Sequence, residues 1–392
     1  MKRQFLLLVA LLVTAMTANA QSQSATLEQG STLTTYYGPG AFISAYEAAK
    51  NGAVITLSAG DFDTVKKIEK SITIIGCGGF PSFGKYTQIS TIYNGNGSYR
   101  VHFAIEASNV KLEGLYMYAH VFIGDNYSNS QSISNLKISN CYISTLYSNW
   151  KHLNTVIDQC HIISIYDSYY TENLCIKNSY IMEFSGSGTG SSNPAYITNC
   201  IIPIWYYSYY DGNSFGRYPP TAVYKNCILG YSSYDSGNLN STSNSYYQGY
   251  YIYNAAGYSN HEYYNNVFYY YPYRYTRGAT NSNSYSENSV SASDSLKRVA
   301  IRPPSASNTC ISQDNVGVSY NNLFNFNTSK GRYDSTYIKV DAKGDDGKPV
   351  GLYGGTGFSL YPDIPRIKES KIDSNTDEEG KLNVKIKVET NK

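Results

Sequence analysis

The residues that could do chemistry are scattered, and none of them forms a recognisable acid/base or nucleophile pair by spacing. Asp341, Asp345 and Asp346, in DAKGDDG, have the composition of a calcium loop, but they sit where the repeats close and read better as a tight turn. The five histidines, His102, His120, His152, His161 and His261, are dispersed, and the seven cysteines include no CxxC and no zinc spacing. Lys151, Arg217, Arg274 and Arg277 could supply positive charge near a groove. No catalytic residue, metal or cofactor is assigned on this pattern. The dense chemistry is aromatic. Tyrosines cluster around Trp205 to Tyr210, Tyr246 to Tyr253 and Tyr263 to Tyr275, and residues 180–290 hold only nine Asp, Glu, Lys and Arg. Flat apolar rings with a polar tip suit sugar rings. The expected carbohydrate-binding residues are therefore Tyr206, Tyr207, Tyr209, Tyr210, Tyr269, Tyr271 and Tyr273, with Arg274 and Arg277 favouring an acidic or sulfated sugar. The plainer alternative is that the tyrosines only stack outward along the surface.

The elements that would position these groups are repeats. LKISNCYI at residues 136–143 alternates apolar and polar, breaks at Asn140, and returns as TVIDQCHI, LCIKNSYI, AYITNCII and AVYKNCIL, with weaker copies HEYYNNVF and GVSYNNLF. Measured at the break, the positions are Asn140, Gln159, Asn178, Asn199, Asn226, Asn265 and Asn321. A repeat of about 20 residues carrying period-2 strands predicts an all-β, single-domain β-solenoid. Strands are expected at 136–138, 156–157, 175–176, 196–197 and 223–224, parallel and in register. Asn at each break can take the left-handed backbone and bond the next Asn, so this ladder is read as structural. Gly114 is expected to hold the same position in an earlier repeat, NVKLEGLYM. Cys141, Cys160, Cys200 and Cys227 follow the break in one inward slot, with Ser179 between them, and read as buried free thiols.

Residues 1–20 have a basic start, a short apolar middle and Ala18-Asn19-Ala20, the pattern of a secretory leader cleaved before Gln21. Without Lys2 and Arg3 the 31 basic residues fall to 29, matching 29 acidic ones. That neutral balance gives no footprint for nucleic acid, and no later apolar run is long enough to span a membrane. The destination is extracellular, cell-surface or periplasmic, and the sequence leaves the oligomeric state open. GPGAFISAYEAAKNG, residues 38–52, predicts a short helix capping the first repeat, with Phe42, Ile43, Tyr46 and Ala49 on one face. Residues 21–365 form the solenoid. Residues 366–392 form a charged tail with one strand near 382–388, expected to pair along the last repeat.

The run from Ala45 to Gly76, AYEAAKNGAVITLSAGDF followed by KSITIIG, resembles the first turns of secreted right-handed parallel β-helix proteins of the pectin-lyase-like superfamily. The stretch from Asp341, DAKGDDGKPVGLYGGTGFSLYPDIPRI, resembles the closing segment of uncharacterised Bacteroidetes-type members. The resemblance implies a right-handed parallel β-helix. It also implies two functional classes: a non-catalytic glycan-binding or adhesive protein, or a polysaccharide lyase or glycoside hydrolase. The clustered Asp and Gly-His-Gly of the polygalacturonase type are absent, and Arg298 and Arg302 in RVAIRPP match a lyase Arg-Pro signature only in part. The sparse charge among dense aromatics favours binding over catalysis, with a polysaccharide or surface glycan as the partner.

Overall fold

Two long sheets carry the chain, and it visits them in alternation. The computed structural model describes residues 23–79, 86–90, 102–125, 131–167, 171–186, 195–208, 222–233, 261–270, 310–318, 323–327, 332–338, 342–358, 366–372 and 384–389. The first sheet has 12 strands and runs from Thr32–Tyr37 and Ser24–Gln29 through Val54–Leu57, Thr73–Ile75 and Lys111–Glu113 to Cys310–Gln313. From Val54–Leu57 onward its strands are parallel, each paired with the equivalent strand of the repeat before. The five strands expected from the repeat are all there, in register: Ile138, Ile157, Ile176, Ile197 and Tyr224 follow one another. The second sheet, also of 12 strands, contains Tyr116–Ile123, Tyr142–Ser148, His161–Asp167, Tyr180–Gly186, Ile201–Ser208, Ile228–Ser233 and Val267–Tyr270, all parallel. A third, 3-stranded sheet joins Ser132–Ser134, Lys151–Leu153 and Thr171–Glu172.

The bend between first and second sheets explains the Asn repeat. Gly114, Asn140, Gln159, Asn178, Asn199, Asn226, Asn265 and Asp314 all have φ between 45° and 64°. This left-handed region is costly for most side chains and least so for Gly and Asn. Among the described residues the bend after Asn265 falls at Asp314: Tyr264 pairs with Gln313, so the residue after each makes the bend. Asn321 lies outside the described residues. The expected amide ladder is present between Asn140 Nδ2 and Gln159 Oε1, at 3.3 Å. Asn178 and Asn226 instead turn their amides to a later segment described below. A second ladder, five residues before the first, was not foreseen. Asn109, Asn135, Asn154 and Asn173 have φ of 54° to 59°, and their amides bond from repeat to repeat at 2.8, 3.2 and 2.9 Å.

Inside, one column of Ile and Leu is continued by tyrosine. Ile138, Ile157, Ile176, Ile197, Tyr224 and Tyr263 are all buried on the first sheet's inner face. Both readings of the tyrosine clusters, sugar-facing or stacked along the surface, put the rings outward, so Tyr263 is a correction: the period-2 pattern places it inward, stacked on Tyr224. Cys141, Cys160, Cys200 and Cys227 are buried free thiols, as expected. Each donates to the backbone carbonyl two residues earlier, at 3.1 to 3.3 Å. Burial pushes the Cys160 and Cys200 thiols well above their ordinary pKa, which keeps them protonated. Asn266 and Asn315 extend the same slot and bond the neighbouring backbone with their amides.

Helix α1, Ala41–Ala48, buries Ala41, Phe42, Ala45 and Tyr46 against the start of the core, and Gly52 (φ 85°) turns the chain beyond it. A hairpin precedes it. Ser24–Gln29 pairs antiparallel with both Thr32–Tyr37 and Val54–Leu57. Near the C-terminus, residues 342–358 lie along the outer side of the second sheet. Val350 and Leu352 are buried there with Tyr180, Met182, Ile201, Ile228, Val267 and Tyr269. The tail strand Val384–Glu389 pairs antiparallel with Arg366–Ile372, and among the described residues with no strand of the repeats. Two alternating charged strands that close on each other satisfy their backbone groups locally.

Candidate functional site

The second sheet's outward residues form two aromatic columns. In the first, Tyr116, Tyr142, His161 and Tyr180 occupy equivalent positions two residues after the bend, with ring centroids 4.8, 5.0 and 4.7 Å apart. In the second, Phe122, Tyr147 and Tyr166 are aligned, at 4.8 and 5.1 Å, and His120 lies 5.3 Å from Tyr147. Parallel strands repeat about every 4.8 Å, close to the stacking distance of aromatic rings, so identical positions stack without distortion. Stacking also uses up the flat faces. Where a column is left uncovered, unlike Tyr180 beneath residues 342–358, ring edges and hydroxyls meet the water.

A free face therefore has to lie beside a column, on the same strand as one of its members. Tyr118 is 65% exposed, and its ring lies nearly parallel to Tyr116 at 6.2 Å. Tyr86 meets Tyr116 edge-on at 5.6 Å. Tyr118 thus presents an open ring held beside a stack whose members fix one another. Burial raises the Tyr142 hydroxyl pKa to about 12, and that of Tyr116 also rises, so the platform is uncharged and its hydroxyls can donate.

The tyrosines selected from the sequence fare differently. Tyr206 and Tyr207 lie in the strand Ile201–Ser208, opposite Tyr231 and Ser232, and are described by their backbone alone. Tyr269 is fully buried beneath residues 342–358, so it is removed from the set of sugar-facing residues. Tyr209, Tyr210, Tyr271, Tyr273, Arg274 and Arg277 lie outside the described residues, as do Arg217, Arg298 and Arg302. The platform at Tyr86, Tyr116 and Tyr118 was missed. Aligning the repeats on their bends would have shown it, because an aromatic or His ring recurs two residues after Gly114, Asn140, Gln159 and Asn178.

The charged groups considered for chemistry are engaged elsewhere. Lys151 pairs with Glu172 at 2.6 Å. Asp345 is bonded to Lys225 and Asn226, which hold its carboxyl below the usual range, and Asp346 accepts the backbone N–H of Lys348 and Gly355. Both aspartates thus serve the turn. Asp341 lies outside the described residues. Among the described residues no cluster of three His, Cys, Asp or Glu could hold a metal, and no helix is long and apolar enough to cross a membrane.

Two histidines are kept neutral by burial. His152 bonds Thr155 Oγ1 at 2.8 Å and its pKa falls to about 3; that of His161, between Tyr142 and Tyr180, falls to about 4. Unfolded, both would titrate near the ordinary 6.5. The unfolded chain then binds more protons below that value, so stability should be complete above pH 6.5 and decline as pH falls toward 4. His161→Tyr, matching its column, is expected to reduce this slope. Melting temperatures between pH 7.5 and 4.5 read the difference, and parallel curves for variant and parent would refute it.

No family model, curated protein or solved structure matches this chain.

Proposed function

We propose that this chain is an exported, non-catalytic glycan-binding or adhesive protein whose two parallel sheets wind as a right-handed β-helix of the pectin-lyase-like kind. The alternation of parallel strands between two sheets supports the winding, since parallel crossovers are right-handed almost without exception. The leader pattern at residues 1–20 supports export. The observation that carries the binding reading is Tyr118, a ring 65% open to water and backed by the stacked tyrosines of the second sheet. A rigid ring loses little entropy when a sugar stacks on it, and flanking tyrosyl hydroxyls can bond sugar hydroxyls.

The test is titration of the chain, without its leader, against a panel of neutral and acidic polysaccharides. Tyr118→Ala should weaken binding by about three- to tenfold, corresponding to about 1 kcal/mol for one aromatic contact. Its melting temperature should be unchanged, because the ring is exposed. Equal binding by the variant, or no binding to any polysaccharide by the parent, would leave the aromatic columns as a structural feature only.

A further inference from the structure

The first sheet has an edge that nothing covers among the described residues. Its terminal strand is Thr32–Tyr37, TLTTYY, bonded on one side to Ser24–Gln29. Proteins usually blunt such an edge with Lys, Pro, a bulge or an overlying segment. This strand has no charge, no proline and no register shift. All its residues are exposed except Tyr36, and Leu33 and Tyr37 are 68% and 69% exposed, more than any other large hydrophobic residue described.

Pairing geometry says which groups the edge offers. Gln29 and Thr32 flank the two-residue turn Gly30-Ser31, so they form a hydrogen-bonded pair, and pairs alternate from there. Thr32, Thr34 and Tyr36 direct their N–H and C=O groups toward Ser24–Gln29. Leu33, Thr35 and Tyr37 direct theirs to the open side. The side chains of these three share the solvent face, as the 3.2 Å contact of Thr35 Oγ1 with Thr26 Oγ1 shows.

We propose that Thr32–Tyr37 is a self-pairing edge through which two copies of this chain join their first sheets antiparallel about a two-fold axis at Thr35. A two-fold axis perpendicular to a sheet pairs only residues of the same face. With the axis at Thr35, Thr35 meets Thr35 of the second copy, and Leu33 meets Tyr37. The outward N–H and C=O groups then face each other in the hydrogen-bonded arrangement. The two most exposed apolar side chains cover one another across the join, twice over. A second copy fits better than a charged partner because the strand offers no charge to attract one. The chain's own start is a poor occupant on the proposed export: cleavage after Ala20 would leave two residues before Gln23, a reach of about 7 Å against a strand about 20 Å long. The contact is one short strand per copy, which places it with small, reversible interfaces.

Sedimentation equilibrium of the chain lacking its leader, from about 1 µM to 1 mM, reads the association. A monomer–dimer equilibrium is expected. Leu33→Lys, and separately Thr35→Pro, which removes an outward N–H, should each raise the dissociation constant by on the order of tenfold or more. Both should leave the circular dichroism unchanged, since neither removes a backbone bond within the chain and Thr35→Pro gives up only the exposed hydroxyl contact with Thr26. Thr35→Cys should give a disulfide-linked dimer under copper–phenanthroline, since directly paired residues lie about 5.5 Å apart, within disulfide reach. Thr34→Cys, whose direct partner across this axis is Tyr36, and the parent with its native cysteines should give little. A monomer throughout the range overturns the proposal. So does a dimer indifferent to Leu33→Lys and Thr35→Pro, or one in which Thr34→Cys cross-links better than Thr35→Cys.

Discussion

Tyr263→Ala should destabilise the protein by about 3 to 5 kcal/mol, the range for deleting a large buried aromatic ring. Tyr263 is fully buried, its ring lies 5.4 Å from that of Tyr224 at an interplanar angle of 10°, and Phe268 meets it edge-on at 5.7 Å. Removal opens a cavity between two successive repeats, where strands fixed by backbone pairing on both sides cannot collapse into it. The neighbouring Tyr264 is the control. It points outward and bonds Glu262 at 2.8 Å, so Tyr264→Ala should change stability by less than about 1 kcal/mol. Denaturant melting of the two variants checks both values. Equal effects would mean that Tyr263 lies outside the core.

That pair shows what the sequence could and could not say. The strands of the repeat, their parallel register, the capping helix, the buried cysteines and the left-handed bends were legible, because each follows from a residue type recurring at one place in the repeat. Tyrosine defeated the reading because it is ambivalent. It can line a core, as at Tyr224 and Tyr263, or stand in water, as at Tyr118. Only its parity within the strand separates the two, and dense clusters hide parity. Composition pointed to residues 206–210 and 269–273, whereas the exposed rings among the described residues, Tyr37, Tyr118, Tyr196 and Tyr353, come from stretches outside those clusters. The second Asn ladder was missed for a different reason. Asn109, Asn135, Asn154 and Asn173 stand in linkers of unlike sequence, and only their shared distance to the first ladder marks them.

The hairpin at Ser24–Tyr37 and the tail strand Arg366–Ile372, which pairs with the expected strand at Val384–Glu389, were also unread, since neither repeats. Residues 342–358 were read as a closing turn. Their actual role depends on contacts more than a hundred residues away in sequence, with Asn178 and Asn226. No local pattern announces such a pairing.

Asn178→Ala should detach residues 342–358 and cost about 2 to 4 kcal/mol. Asn178 is buried, and its amide donates to the carbonyls of Leu352 and Gly354 at 2.9 and 2.7 Å, while its oxygen accepts from Thr356 Oγ1 at 3.0 Å. Each lost bond is worth about 1 kcal/mol net, and more where a carbonyl is left buried without a partner. Alanine at φ 45° adds about 1 kcal/mol of backbone strain. Asn178→Gly separates the two contributions, because glycine accepts the backbone conformation but makes no side-chain bond. Asn199 supplies a second comparison. It lies beneath Gly354 and Gly355, but its Oδ1 has no partner among the described residues, so Asn199→Ala should cost less. Once residues 342–358 lift, Val350, Leu352 and the covered side chains Tyr180, Ile201 and Tyr269 meet water. Limited proteolysis should then cut this segment in Asn178→Ala under conditions that leave the parent intact. The double measurement is decisive: a melting curve within about 0.5 kcal/mol of the parent together with unchanged protection would show that the segment is held by its apolar contacts alone.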